Sequence, residues 1–270
     1  TREQNQGKNQ LKPQNVTLPH LFPRKAEMDG NAYGVATYRL LIQGLSPDKE
    51  YGIQVIDIAT AYRMLVNGSQ VLSAGKVSAD PKEHDSMMLE QLGLFRANAS
   101  GQAEILLEVS NFSYFEGGFR NFITMGTPEQ IGRYASYQDL VEIFLFATIL
   151  SLGLFFLAVY AVYRRFDALL YFSLLSIINA ARVILRGHRQ IYDLLPQIPW
   201  DLAVRLEFLA GYLALPAFGL FLYSMDYVKR NRTLQIFYYC FAVVSVLFCF
   251  LTPNEIYANP LPYYVKLMQG

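Results

Sequence analysis

Charge is scarce in this 270-residue chain. Only 17% of the residues are charged, and the formal net charge is +1, where an ordinary soluble domain carries about a quarter. No basic surplus exists to neutralise phosphates, which argues against nucleic acid as a partner. Cysteine is limited to Cys240 and Cys249, so a disulfide-dense secreted scaffold is excluded. Both lie in a very apolar run and read as small hydrophobes. Histidine occurs three times, as His20, His84 and His188. None has the i,i+4 or cysteine spacing of a metal signature, and neither a metal nor a cofactor is expected. Phosphate loops, kinase signatures and serine elbows are missing. After residue 137 the only lysines are Lys229 and Lys266, both at expected interfaces. That leaves no lysine deep in a helix for a retinal-type Schiff base.

What is present divides the chain in two. Residues 1–137 hold 27 of the 45 charged side chains, and in the remainder the charges crowd between apolar runs. Ile143–Tyr163 contains 21 residues without a charge, enough to cross a hydrocarbon core of about 30 Å. Further runs follow, interrupted by Arg182 in the second and by Arg205, Glu207 and Pro216 in the third. Spans are expected at about 141–163, 168–187, 202–226 and 234–252, with the partner being a lipid bilayer. Arg164 and Arg165 follow the first span, and Lys229, Arg230 and Arg232 follow the third. The positive-inside rule makes those loops cytoplasmic and residues 1–137 extracytoplasmic, although Arg186 and Arg189 in the second loop dissent. The apolar character resumes near Pro262, as a fifth span that the chain does not complete. No export signal precedes the outer half. The chain therefore reads as a stretch of a longer protein.

The first half is a strand region. Residues 1–15 are Gln/Asn-rich and read as a disordered lead. Period-two alternation then marks Thr37–Ile42, Tyr51–Ile58, the run Tyr62, Met64, Val66, a return strand Gln70–Ser73, Glu104–Val109 and Phe119–Met125. Asn67-Gly68 is a type I′ hairpin signal, because both of its residues need φ > 0. The polar trio Glu83-His84-Asp85 reads as a solvated loop. Together these features predict a β-sandwich over 16–135 and a helical membrane region over 136–270.

The runs TYRLLI, YGIQVIDIATAYRMLVNG, ILLEVSNF and GGFRNFITMG, followed by ARVILRG and RLEFLAGYLALP, resemble bacterial seven-transmembrane receptors with diverse intracellular signalling modules (7TMR-DISM). The resemblance implies an extracytoplasmic jelly roll of galactose-binding-like type that lacks its opening strands, followed by part of a seven-helix bundle. It also implies a carbohydrate as ligand, an inner-membrane location, a homodimeric intact receptor, and a cytoplasmic output module such as a diguanylate cyclase or histidine kinase. No enzymatic activity is expected of this stretch itself. The alternative is a membrane-tethered carbohydrate-active enzyme or its binding module, which needs two carboxylates about 5–9 Å apart across a cleft. A transporter would need internal repeats, and the spans show none.

Two sets of candidate site residues follow. On the sandwich, Tyr62, Arg63, Asn111, Tyr114, Glu116 and Arg120 offer stacking faces and planar hydrogen bonds to a polar ligand. The loop NFSYFEGGFRN is the part least explained by folding. In the membrane half, Glu142, Arg182, Arg186, Arg205 and Glu207 fall toward the outer ends of their helices, as an ion-pair clamp or a signal relay. Arg182 is expected to pair with Glu207 or Glu142.

The topology has a direct check. A cysteine replacing Ser100 is expected to react with an impermeant maleimide on cells with a permeabilised outer membrane, while one replacing Asp167 stays unlabelled. The opposite pattern would invert the orientation.

Overall fold

A computed structural model describes residues 15–22, 32–225 and 231–258. The polar lead, Lys229, Arg230 and the expected fifth span lie outside the described residues. Alternation yields strands where it was expected. The strands are β1 (Gly34–Gln43), β2 (Glu50–Val55), β3 (Ile58–Ala59), β4 (Ala61–Val66), β5 (Ser69–Ala74), β6 (Gln91–Arg96), β7 (Gln102–Asn111), β8 (Gly118–Phe119) and β9 (Thr124–Gly126). They form one sheet in the order β1-β7-β4-β5, a second in the order β6-β2-β9, and a two-stranded pair β3-β8. Asn67 and Gly68 have φ of 50° and 84°, as the hairpin requires. Ile105, Leu107 and Val109 of β7 point into a core shared with Ile53, Val55, Met64 and Phe95.

Three expectations are corrected here. The run Tyr51–Ile58 breaks after Val55, and Phe119–Met125 splits into the short strands β8 and β9. Strand β6 escaped the reading because its exposed face carries Leu92 and Leu94, so it lacks an apolar/polar alternation. In the trio Glu83-His84-Asp85 the two acids are exposed, as a solvated loop requires, and only His84 departs from that reading. The His84 ring turns inward, with Nδ1 2.9 Å from Ser110 Oγ, and Nε2 3.0 Å from Thr60 Oγ1 and 2.9 Å from Ser86 Oγ.

Helix α1 (Pro128–Tyr163) joins the halves. It opens with a capping box: Thr127 Oγ1 accepts from the Gln130 N–H, and Gln130 Oε1 accepts from the Thr127 N–H, while Pro128 begins the first turn. Its first turns bury Ile131 and Ala135 against the second sheet. Strand β2 is consequently buried on both faces, with Gln54 fully covered. The same helix then runs on without a break into the charge-free span. Its 36 residues extend about 54 Å.

Three more long apolar helices follow: α2 (Asp167–Leu185), α4 (Trp200–Ser224) and α5 (Arg232–Leu251). The short helices α3 (Ile191–Leu194) and α6 (Asn254–Tyr257) lie on the loops after α2 and α5. Helix α2 packs between α1 and α4, and α4 packs between α2 and α5. All four long helices are long and apolar enough to cross a membrane, and they leave Phe144, Phe155, Phe237 and Val244 on the outer surface, where lipid takes the place of a core. Cys249 is buried and Cys240 exposed, and both are free thiols.

His84 generates a pH dependence. Burial lowers its pKa, so the folded sandwich holds it neutral while the unfolded chain protonates it near pH 6.5. That contribution to stability is complete above pH 6.5 and is lost as the pH falls through the lowered folded value. The half-buried ring keeps the slope below about 1.4 kcal/mol per pH unit. Denaturant unfolding of the wild-type chain at pH 7.5 and 5.5 should show a larger loss of stability than in His84→Gln. Equal losses would show that His84 is solvated.

Candidate ligand site at the sandwich–helix junction

The sandwich meets the helices through an apolar plug and a polar cavity. The plug is made by the loop after β7. Asn111, fully buried, organises that loop. Its Nδ2 donates to the carbonyls of Ala32 and Tyr114, both at 2.8 Å, and its Oδ1 accepts from the Thr60 hydroxyl and the Tyr114 N–H, both at 3.1 Å. Tyr114 is thereby driven between Trp200 and Phe208 of α4, at ring distances of 6.1 and 6.3 Å. Burial pushes its phenol up to about 12. Ala59, Met88 and Tyr257 complete the plug.

Beside it lies a cavity of about 850 Å³. The sandwich contributes Asp57, Tyr114, Phe115, Glu116 and Arg120 to its wall; the helix ends contribute Glu142, Arg182, Arg186, Arg189, Glu207 and Phe208. Arg120 lies 4.5 Å over the Tyr114 ring and reaches Asp57 at 3.5 Å and Glu116 at 3.3 Å. Across the cavity, Arg189 and Glu207 are buried and 3.4 Å apart, while the exposed Arg186 stands 3.9 Å from Glu207. Gly187 and Arg189 have φ of 57° and 58°, which reverses the chain after α2 and delivers the Arg189 side chain to α4. At Gly187 a Cβ would collide with the Glu142 carboxylate, which accepts from the His188 N–H.

The ion contacts leave polar atoms over. Asp57 Oδ1, Arg120 Nε, Arg189 Nη1 and Glu207 Oε2 are all buried and lack a hydrogen-bond partner among the described residues. Each belongs to a residue of the cavity wall. Two are donors and two are acceptors. Four arginines of the wall balance Asp57, Glu116, Glu142 and Glu207, so the arginines and carboxylates cancel.

At one edge of the cavity, His188 sits against Glu90, with Asp139 3.7 Å from the same ring nitrogen and Glu142 3.9 Å from the other. The hydrogen bond with Glu90 raises the imidazole pKa. The three carboxylates act in the same direction, against burial that would lower it.

The structure brings some of the expected site residues together and not others. Tyr114, Glu116 and Arg120 line the cavity with Glu142, Arg182, Arg186 and Glu207. Tyr62 is in the sandwich core with no exposure, and its hydroxyl is 3.2 Å from Gln91 Oε1. Arg63 points to the other face and pairs with Glu108 at 2.5 Å. Asn111 serves the loop and is not open to a ligand. Arg205 leaves the relay: it pairs with Asp201 at 2.6 Å, and its Nη1 donates to the carbonyls of Cys249 and Thr252, closing the end of α5. Arg182 makes an ion pair with neither Glu207 nor Glu142 among the described residues; Glu207 pairs with Arg189 instead, because the left-handed turn at Arg189 carries a loop residue inward. Asp57, Arg189 and His188 were missed as site residues. Only the intramembrane depth of Glu207, which demands a cation, pointed toward Arg189.

Fold and site together define a multi-pass membrane protein whose β-sandwich is seated on one set of helix ends. Residues 138–268 match the family model described as 7TM diverse intracellular signalling. That match covers just under half of the chain and supports its membership of this family. Among solved structures it is similar to a GH2 beta-galacturonidase from Eisenbergiella tayi, at 12% identity and a TM-score of 0.32 over 43% of this chain and 22% of the other. It is also similar to Bacteroides uniformis beta-glucuronidase 3, at 16% identity and a TM-score of 0.32 over 46% of this chain and 19% of the other. The chain spans about a fifth of the length of these structures, and such distant likeness assigns no activity. A comparison with curated proteins gives no match.

The buried pair yields a prediction. Removing one member of such a pair leaves the other orphaned, at about 3 kcal/mol where water still has access through a cavity. Glu207→Gln should destabilise the detergent-solubilised chain by about that amount in SDS titration, and Asp193→Asn on the exposed face of α3 by less than about 0.5 kcal/mol. The double change Glu207→Gln with Arg189→Gln should recover part of the loss. Strict additivity would show that the two side chains do not couple.

Proposed function

We propose that this chain is the sensing and transmembrane part of a bacterial inner-membrane signalling receptor, and that the junction cavity binds its ligand. The observation that carries the reading is the set of four buried polar atoms in the wall of one cavity that have no hydrogen-bond partner among the described residues, Glu207 Oε2 keeping only its ion contact with Arg189. Two donors and two acceptors with cancelling charge suit a neutral polyhydroxylated molecule, since each hydroxyl both donates and accepts. Phe115 and Phe208 add apolar faces. A carbohydrate is therefore the ligand class. The position supports a relay: a ligand there touches the sandwich, α1, the end of α2 and the start of α4 at once.

The outer half is periplasmic in this reading, by the bias of Arg164, Arg165 and Arg232 toward the other side. An output module on the cytoplasmic side and a homodimeric receptor rest on the family alone. The reading is of a receptor and not of an enzyme. Asp57 and Glu116 both face Arg120, and Glu207 faces Arg189, which leaves Glu142 as the one wall carboxylate without an arginine partner among the described residues, whereas a glycosidase needs two carboxyl groups acting together.

Calorimetry on the full chain in nanodiscs, titrated with neutral mono- and disaccharides, tests the ligand class. At least one should bind saturably, and Asp57→Asn or Glu207→Gln should weaken it about tenfold or more, the cost of a lost hydrogen bond to a charged group. Absence of binding across the panel, or binding that both variants leave intact, would sink the proposal.

A further inference from the structure

Glu90, Asp139 and His188 come from three separate places. Glu90 immediately precedes β6 in the sandwich, Asp139 lies on α1, and His188 lies on the turn after α2. Each offers a ligand atom, and the three atoms lie within 4.8 Å of one another. The His188 side chain is 8% exposed and that of Glu90 12%. We propose that these three residues form a binding site for a divalent transition-metal ion of the Zn²⁺ class, which pins the sandwich to the membrane helices.

Four observations support it. First, the spacing is nearly that of ligands. Donor atoms about 2.1 Å from a tetrahedral ion lie about 3.4 Å apart. Asp139 Oδ1 is 3.7 Å from His188 Nδ1, and Glu90 is closer still, so small side-chain rotations complete the set. Second, the charge calls for a cation. Glu90, Asp139 and Glu142 surround one imidazole, and His188 is their only ion-pair partner among the described residues. A protonated His188 neutralises one carboxylate of three. A divalent ion replacing that proton, on the neutral ring, neutralises two.

Third, the surroundings are those of a ligand set. Glu142 lies 3.9 Å from His188 Nε2, on the side opposite the proposed ion. A carboxylate in that place fixes the tautomer of a ligating histidine. Gln190 donates to Asp139 at 2.6 Å, and Gln54 donates to Glu90. Fourth, Gln54 is fully buried at this spot, yet its Oε1 has no hydrogen-bond partner among the described residues. One imidazole and two carboxylates suit Zn²⁺, with a water completing the four, better than the all-oxygen shell of Ca²⁺.

The site adjoins the junction cavity but does not depend on a sugar binding there. The test uses the full chain without a polyhistidine tag, in nanodiscs and stripped with a chelator. Titrated with Zn²⁺ by calorimetry, it should take up one equivalent. The isosteric changes Glu90→Gln and Asp139→Asn, and also His188→Ala, should each weaken Zn²⁺ at least tenfold. His84→Gln should leave it unchanged, and Ca²⁺ should bind at least tenfold more weakly than Zn²⁺. Co²⁺ in place of Zn²⁺ should give the visible absorption of a four-coordinate ion. No saturable Zn²⁺ binding, equal binding of Ca²⁺, or binding that survives both Glu90→Gln and His188→Ala would overturn the proposal.

Discussion

Everything in this structure hangs on the continuity of α1. Its first turns replace solvent on one face of the β6-β2-β9 sheet, and its last turns form a membrane span. No proline or glycine pair interrupts the hydrogen-bond ladder between them. A helix without a kink transmits displacement along its axis as a rod. The sandwich cannot rotate on the membrane without either tilting that rod or stripping Ile131 and Ala135 from the sheet. The plug of Tyr114 against Trp200 and Phe208 gives the sandwich a second anchor, on α4. Two anchors on two different helices convert a movement of the sandwich into a relative movement of α1 and α4.

The sequence revealed the parts whose signal is local. Four spans were legible because a bilayer demands long apolar runs with few charges, and the hairpin at Asn67-Gly68 because positive φ at two successive residues restricts the choice of residue. Strands β1, β4 and β7 followed from alternation on a single buried face. The reading faltered wherever burial had a second source. Gln54 on β2 is a polar residue buried by a helix that arrives about 75 residues later, and β6 carries leucines outward. The break between β8 and β9 has no pattern of its own.

The site was half legible for the same reason. Tyr114, Glu116 and Arg120 stood out because the loop holding them has more aromatic and charged groups than a turn needs. Tyr62 shares that chemistry but lies on an inward position of β4, where alternation wins. His188 seemed isolated because a metal or proton site built from a sandwich loop, a helix and an interhelical turn has no spacing in the sequence. Arg189 looked like a solvated loop residue. Its left-handed backbone, unusual outside glycine, is what turns it onto Glu207, and no residue nearby announces it.

The junction also has the energetics that a switch requires. A cavity wall whose ion pairs were fully hydrogen-bonded would hold one arrangement rigidly and gain little from a ligand. Here the ion contacts leave hydrogen-bonding capacity unmet at Asp57 Oδ1, Arg120 Nε and Arg189 Nη1, and at Glu207 Oε2, which meets Arg189 only as an ion contact at 3.4 Å. An unmet buried polar group costs about 1–3 kcal/mol, and reversing a population from 1:99 to 99:1 takes about 5.5 kcal/mol of differential binding. A ligand that satisfied two or three of these atoms in one arrangement of the junction, and none in another, would supply that difference. Two of the atoms belong to the sandwich and two to the helix ends, so their simultaneous satisfaction fixes the distance between the halves. In the proposed receptor that distance is the quantity α1 and α4 carry across the membrane.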